Sequence, residues 1–141
     1  MAVKITVKAP KIVIKDPTRK FWHRLGEDNA TTIDKRTLSG VDVNRKMFKR
    51  YSEGYKKSRQ ENSLSTRPNL SFSNRMLTAL GRGVRSSKKG FKIILSGTEG
   101  FKAWANEQSG RDFFGLGRRE KDKILKQVTL FYTVKNKLKK R

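Results

Sequence analysis

Two adjacent phenylalanines held between glycines, in Gly110-Arg111-Asp112-Phe113-Phe114-Gly115-Leu116-Gly117, constrain this chain more than any other stretch. Burying each ring stabilises by roughly 1.5 to 3 kcal/mol, so a short loop that carries both must plug a pocket, in the body of the chain or on a neighbour. The stretch runs directly into Arg118-Arg119-Glu120-Lys121-Asp122-Lys123-Ile124-Leu125. Carboxylates in a first helical turn suit the positive end of the helix dipole, and here cations crowd the far end, so the segment reads as an anchored turn that opens a helix. Gly117 lacks the side-chain oxygen of a usual cap, although Glu120 stands at the third helical position that a capping box uses.

The rest of the chain falls into short units. Val3, Ile5 and Val7 alternate with Lys4, Thr6 and Lys8, then Ile12 and Ile14 follow Pro10, which reads as a strand, a turn and room for a second strand. Pro17 opens a short helix through Phe21, Trp22 and Leu25 that ends at Gly26, and residues 27–40 are polar and turn-rich, as in a loop or loose hairpin. Phe48, Tyr51 and Tyr55 follow helical spacing and share one face, flanked by Arg45, Lys46, Lys49, Arg50, Lys56, Lys57 and Arg59. Aromatics among cations suit nucleic acid, and they suit a half-buried surface with lysine stems packed alongside; the spacing favours the second. Residues 62–67 form a polar loop closed by Pro68.

Ser73 is placed to cap a helix over 74–80, ended by Gly81. Val84 and the run Phe91 to Leu95 read as a hairpin around 86–90. Thr98 then caps a helix through Phe101, Ala103, Trp104 and Ala105. The final helix turns Ile124, Val128, Phe131 and Leu138 inward, with residues 127–134 also β-prone, and ends in a basic tail. The sum is an α+β chain: one domain, with a small antiparallel sheet packed by about three helices and extended segments ordered by partners. Its parts are a strand-rich region 1–39, a body 40–125 and a basic helix 117–141.

Several function classes fare badly. The chain has 141 residues, no cysteine and one histidine, so disulfides and thiol chemistry are excluded and neither a metal nor a cofactor is expected. No apolar run approaches the ~20 residues that span a bilayer, and no signal core follows the amino-terminal lysines, so no membrane association and a soluble protein are expected. His23 has no sequence neighbour suited to a triad, no glycine loop ends in Gly-Lys-Ser or Gly-Lys-Thr, and Glu120 and Asp122 point different ways on one helix. No catalytic residues and no small-molecule substrate are expected. What remains is charge: 35 Lys plus Arg against 12 Asp plus Glu, a net +23, far beyond the ~2 to 8 that solubility needs. Such a surface attracts polyanions.

Three ordered segments resemble the tail-completion proteins of tailed bacteriophages, also described as virion morphogenesis or head-tail joining (neck) proteins. They are Gly40-Val41-Asp42 with Phe48-Lys49-Arg50-Tyr51-Ser52-Glu53-Gly54-Tyr55-Lys56-Lys57-Ser58-Arg59, then Pro68-Asn69-Leu70-Ser71-Phe72-Ser73-Asn74-Arg75-Met76-Leu77, then the Arg111-Asp112-Phe113-Phe114-Gly115-Leu116 turn. Asp112 stands where that family often has Pro, Asn74 where Gly is common, and Gly117 where Ser or Thr often caps. The resemblance implies a non-enzymatic virion subunit, assembled in a ring of its own copies between portal or connector and tail proteins, present in the host cytoplasm during assembly. Interface or anchor residues would be Phe48, Tyr51, Tyr55, Trp104, Arg111, Phe113, Phe114 and Leu116. Contacts to acidic rings or packaged DNA would fall to Arg45, Lys46, Lys49, Arg50, Lys56, Lys57, Lys135, Lys137, Lys139, Lys140 and Arg141. A small basic nucleic-acid-binding protein, ribosome-associated or DNA-organising, is the competing expectation from charge.

Overall fold

The computed structural model describes residues 16–71 and 74–135. The expected strands within 1–15, the Ser73 cap, Leu138 and the tail cations Lys137, Lys139, Lys140 and Arg141 lie outside the described residues.

The first helix, α1 (Arg19–Leu38), starts where Thr18 accepts a hydrogen bond from the Phe21 N–H at 3.2 Å. It does not stop at Gly26, and the loop expected over 27–40 is helix as far as Leu38. Leu25, Asn29, Ala30, Ile33, Arg36 and Thr37 form its buried stripe at spacings of three and four. The polar members satisfy themselves on the helix: Asn29 Nδ2 donates to the Leu25 carbonyl at 2.7 Å and Thr37 Oγ1 to that of Ile33 at 2.7 Å. Gly26 costs a helix about 1 kcal/mol against Ala. That cost is offset by close approach, because a Cβ there would sit 2.6 Å from Val84 Cγ1 and 3.0 Å from Phe91 Cδ2.

After Gly40, whose φ of +79° takes the left-handed turn that ends many helices, Val41 bridges Met47 across a tight loop tied by the Asp42 carboxylate. Residues 48–52 have no regular secondary structure. Phe48 and Tyr51 are buried as expected but precede the helix instead of lying on it, since α2 (Glu53–Glu61) begins after its Ser52 cap. The polar stretch 62–70 is pinned by Arg59, which is 1 % exposed and donates to the Ser65 carbonyl and Asn69 Oδ1.

Helix α3 (Arg75–Arg82) buries Met76, Leu77 and Leu80 and runs past Gly81 to its Gly83 cap. Gly83 lies under the backbone of Ile94, 2.1 Å from where its Cβ would be, which leaves no room for a side chain. Strands β1 (Val84–Ser86) and β2 (Phe91–Ile93) pair antiparallel, Val84 opposite Ile93, as the hairpin pattern predicts. Helix α4 (Gly97–Gln108) packs on α3, and α5 (Arg118–Lys135) is helical throughout, so the β-prone residues 127–134 follow helix.

The described residues form an α+β domain of five helices on a two-stranded sheet, more helices than the three expected. Ala30, Ile33, Phe48, Tyr51, Leu70, Met76, Leu77, Leu80, Val84, Ala103 and Phe113 form one core.

Candidate interface around the aromatic turn

The turn between α4 and α5 is buried by its own chain. Phe113 is 0 % exposed within the core, which resolves the choice between body and neighbour for this ring. Phe114 and Leu116 pack against the core and are only partly buried. With Trp22, Phe91, Ile93 and Ile124 they line an open apolar groove of about 450 Å³ between α1, β2 and α5.

An arginine clasp holds the turn. Arg36 from α1 donates through Nη2 to the carbonyls of Phe113 at 2.6 Å and Gly115 at 2.9 Å, and through Nη1 to Glu120 Oε1 at 3.1 Å. Arg45 reaches the same oxygen at 2.9 Å. Glu120 is 2 % exposed, so its position owes more to these guanidiniums than to the helix dipole. Burial pushes its carboxyl up, but its own backbone N–H and the two guanidiniums pull harder and hold it below the usual carboxylate range. Arg36 Nε and Glu120 Oε2 have no hydrogen-bond partner among the described residues.

Gly117 is not a deficient cap. A Cβ there would lie 2.2 Å from the Val43 carbonyl, so Ser or Thr could not replace it without moving backbone. On the other side of the turn, Glu107 Oε1 accepts the Phe114 N–H at 2.9 Å. Burial, and then the neighbouring Asp112 carboxyl, raise the Glu107 pKa against the opposing effect of that bond.

Arg111 lies against the segment before α2, its guanidinium 5.1 Å from the Tyr51 ring and its Nε 3.3 Å from the Lys49 carbonyl. Tyr51 also stacks with Arg59 at 5.0 Å and meets Tyr55 edge-on at 4.8 Å. Lys46, Lys49, Arg50 and Lys57 are exposed on the same stretch, whereas Lys56 pairs with Glu53 and Arg45 is spent on Glu120. Lys135 ends α5. Trp104 is 56 % exposed beside Phe101 at 66 %, their rings 5.6 Å apart on α4.

Local spacing carries no sign of the Arg36 clasp, of the burial of Arg59 among its basic neighbours, or of one further arrangement. Ser86 Oγ lies 3.3 Å from His23 Nδ1, and His23 Nε2 lies 3.4 Å from Glu27 Oε1. The three groups line up as serine, imidazole and acid. However, His23 and Glu27 are half-exposed and both contacts are longer than a working nucleophile uses. A hydrated pair one helical turn apart on a surface gives a serine little activation.

No helix among the described residues is long and apolar enough to cross a membrane. No protein-family model, curated protein or solved structure matches the chain.

Proposed function

We propose that this chain is a non-enzymatic structural subunit of a phage virion, forming a ring of copies at the head-tail joint between portal or connector and tail. The observation that carries the reading is the set of large apolar side chains left in water. Phe101 and Trp104 on α4, and Leu125 and Leu130 at 66 % and 53 % exposure on α5, lie outside a core that is already closed. A chain that is only 34 % hydrophobic has few such residues to leave uncovered unless they meet partners. The ordered resemblance of the 40–59, 68–77 and 111–116 segments to tail-completion proteins supplies the kind of partner. The turn that carries the third segment is built as an anchor, with Phe113 in the core and three Arg36 bonds behind it.

Light scattering and particle imaging of the purified chain, alone and co-expressed with the products of its neighbouring reading frames, test the reading. The expected result is a closed ring or a co-purifying complex that Phe101→Ser with Trp104→Ser weakens while the melting temperature stays within a degree or two. A chain that stays monomeric in every combination, or an aromatic pair whose removal leaves assembly unchanged, would refute it.

A further inference from the structure

Arg111 differs from the buried arginines of this domain in what it leaves unspent. Its guanidinium lies over the Tyr51 ring at 5.1 Å, forms no ion pair among the described residues, and has only long contacts to the carbonyls of Lys49 at 3.3 Å and Arg50 at 3.5 Å. It lines a notch of about 350 Å³ with Tyr51, Ser52, Tyr55, Leu70 and Asn106. Tyr51 is 6 % exposed, and its hydroxyl accepts the Leu70 N–H at 3.0 Å, which leaves the phenolic proton with no acceptor among the described residues. A nine-tenths buried hydroxyl with a proton to give, beside an uncompensated guanidinium, fits an anionic oxygen.

We propose that this notch binds single-stranded nucleic acid, with a backbone phosphate on Arg111 and the Tyr51 hydroxyl and the attached base against the Tyr55 ring. A phosphate takes the fork of a guanidinium side-on, and every base offers a π-face to a tyrosine. Tyr55 is partly exposed at the mouth, and Lys49, Arg50 and Lys57 stand exposed around it with no ion pair among the described residues. Two flat walls, one aromatic and one cationic, give a base something to stack on; an acidic peptide would use the cations and leave the ring idle. The inference goes beyond the ring reading and does not require it. A monomer that binds through the notch supports the site while sinking the ring, and a ring indifferent to nucleic acid does the reverse.

The test is fluorescence anisotropy of fluorescein-labelled oligothymidylate titrated with the full chain at rising salt. Arg111→Gln is expected to weaken binding about five- to tenfold and to reduce the salt slope by about 0.7, the share of one phosphate on a single strand. Tyr55→Leu is expected to weaken binding about fivefold with the slope unchanged, because stacking is lost and charge is not. Arg82→Gln removes an exposed cation on α3 and should cost less than about twofold. Circular dichroism melts check folding, and if Arg111→Gln unfolds, Arg111→Lys replaces it, with affinity reduced and slope retained. Equal losses for the Arg111 and Arg82 variants, no loss for Tyr55→Leu, or polyglutamate competing as well as the oligonucleotide would each overturn the proposal.

Discussion

Replacing Arg36 with methionine removes a side chain that hydrogen-bonds α1 to both the aromatic turn and α5. Three charge-assisted hydrogen bonds go with it: two carbonyls of the turn lose their donor, and Glu120 keeps only the half-exposed Arg45. Removing one member of a buried pair costs about 3–5 kcal/mol, chiefly because the partner stays buried without compensation. Against a total stability of ~5–15 kcal/mol this is a large fraction. At about 4 °C per kcal/mol for a domain of this size, the melting temperature should fall by ~12–20 °C. Urea titration gives the same quantity if the m-value is unchanged.

The double variant Arg36→Met with Glu120→Leu separates the pair from its surroundings. Each single change should cost about 3–5 kcal/mol, and the double should cost ~2–3 kcal/mol less than their sum, because neither charge is then stranded. The acid limb gives a second measure. Glu120 has a folded pKa below its unfolded value, so its stabilisation is fully present above the unfolded pKa and is lost as pH falls through the folded one. The gap between wild type and Glu120→Gln should therefore close below about pH 4. An Arg36→Met cost under about 1 kcal/mol, or strictly additive singles, would refute the clasp as the anchor of the turn.

Gly117→Ala should destabilise by roughly 1–3 kcal/mol in thermal melts, since the added methyl meets both the Val43 backbone carbonyl and the Glu120 carboxylate held in the clasp. Phe113→Ala should cost about 3–5 kcal/mol and Phe114→Ala clearly less, because only the first ring is in the core; equal costs in urea titrations would contradict that division. Glu107→Gln should raise the melting temperature by a few degrees at pH 7, keeping an oxygen for the Phe114 N–H while removing a carboxylate beside Asp112. Because the folded pKa of Glu107 is raised, that gain should shrink as pH falls toward about 4, where folded and unfolded forms both hold the proton.

The hairpin, the helices around Met76 and Ala103, and the turn with its following helix were legible because local rules decide them. Val84, Phe91 and Ile93 alternate, Gly110 punctuates, and Phe113 is too apolar to leave in water, although the Met76 helix ends at Gly83 and not at the expected Gly81. The second half of α1 was not legible. Asn29, Arg36 and Thr37 occupy its buried stripe, and their polarity hides a helical face behind the composition of a loop. Gly26 misled for a related reason: its missing side chain serves the approach of Val84 and Phe91, a contact made 58 and 65 residues further along and invisible to local spacing. Phe48, Tyr51 and Tyr55 show the opposite error, helical spacing of which only Tyr55 lies on a helix while tertiary packing buries the other two in an irregular segment before it. The clasp joins residues 84 apart, so nothing in the neighbourhood of Arg36 or Glu120 announces it.

That separation bears on how the chain is made. Arg36 emerges early in synthesis, while the two turn carbonyls and the carboxylate that satisfy it emerge only when four-fifths of the chain is out. Until then α1 carries a guanidinium that cannot be buried without stranding it, so the amino-terminal half has reason to stay open while the remainder is translated. Closure waits for residue 120. Products cut short before Phe113 lack all three acceptors, and they should be the forms that proteases remove first.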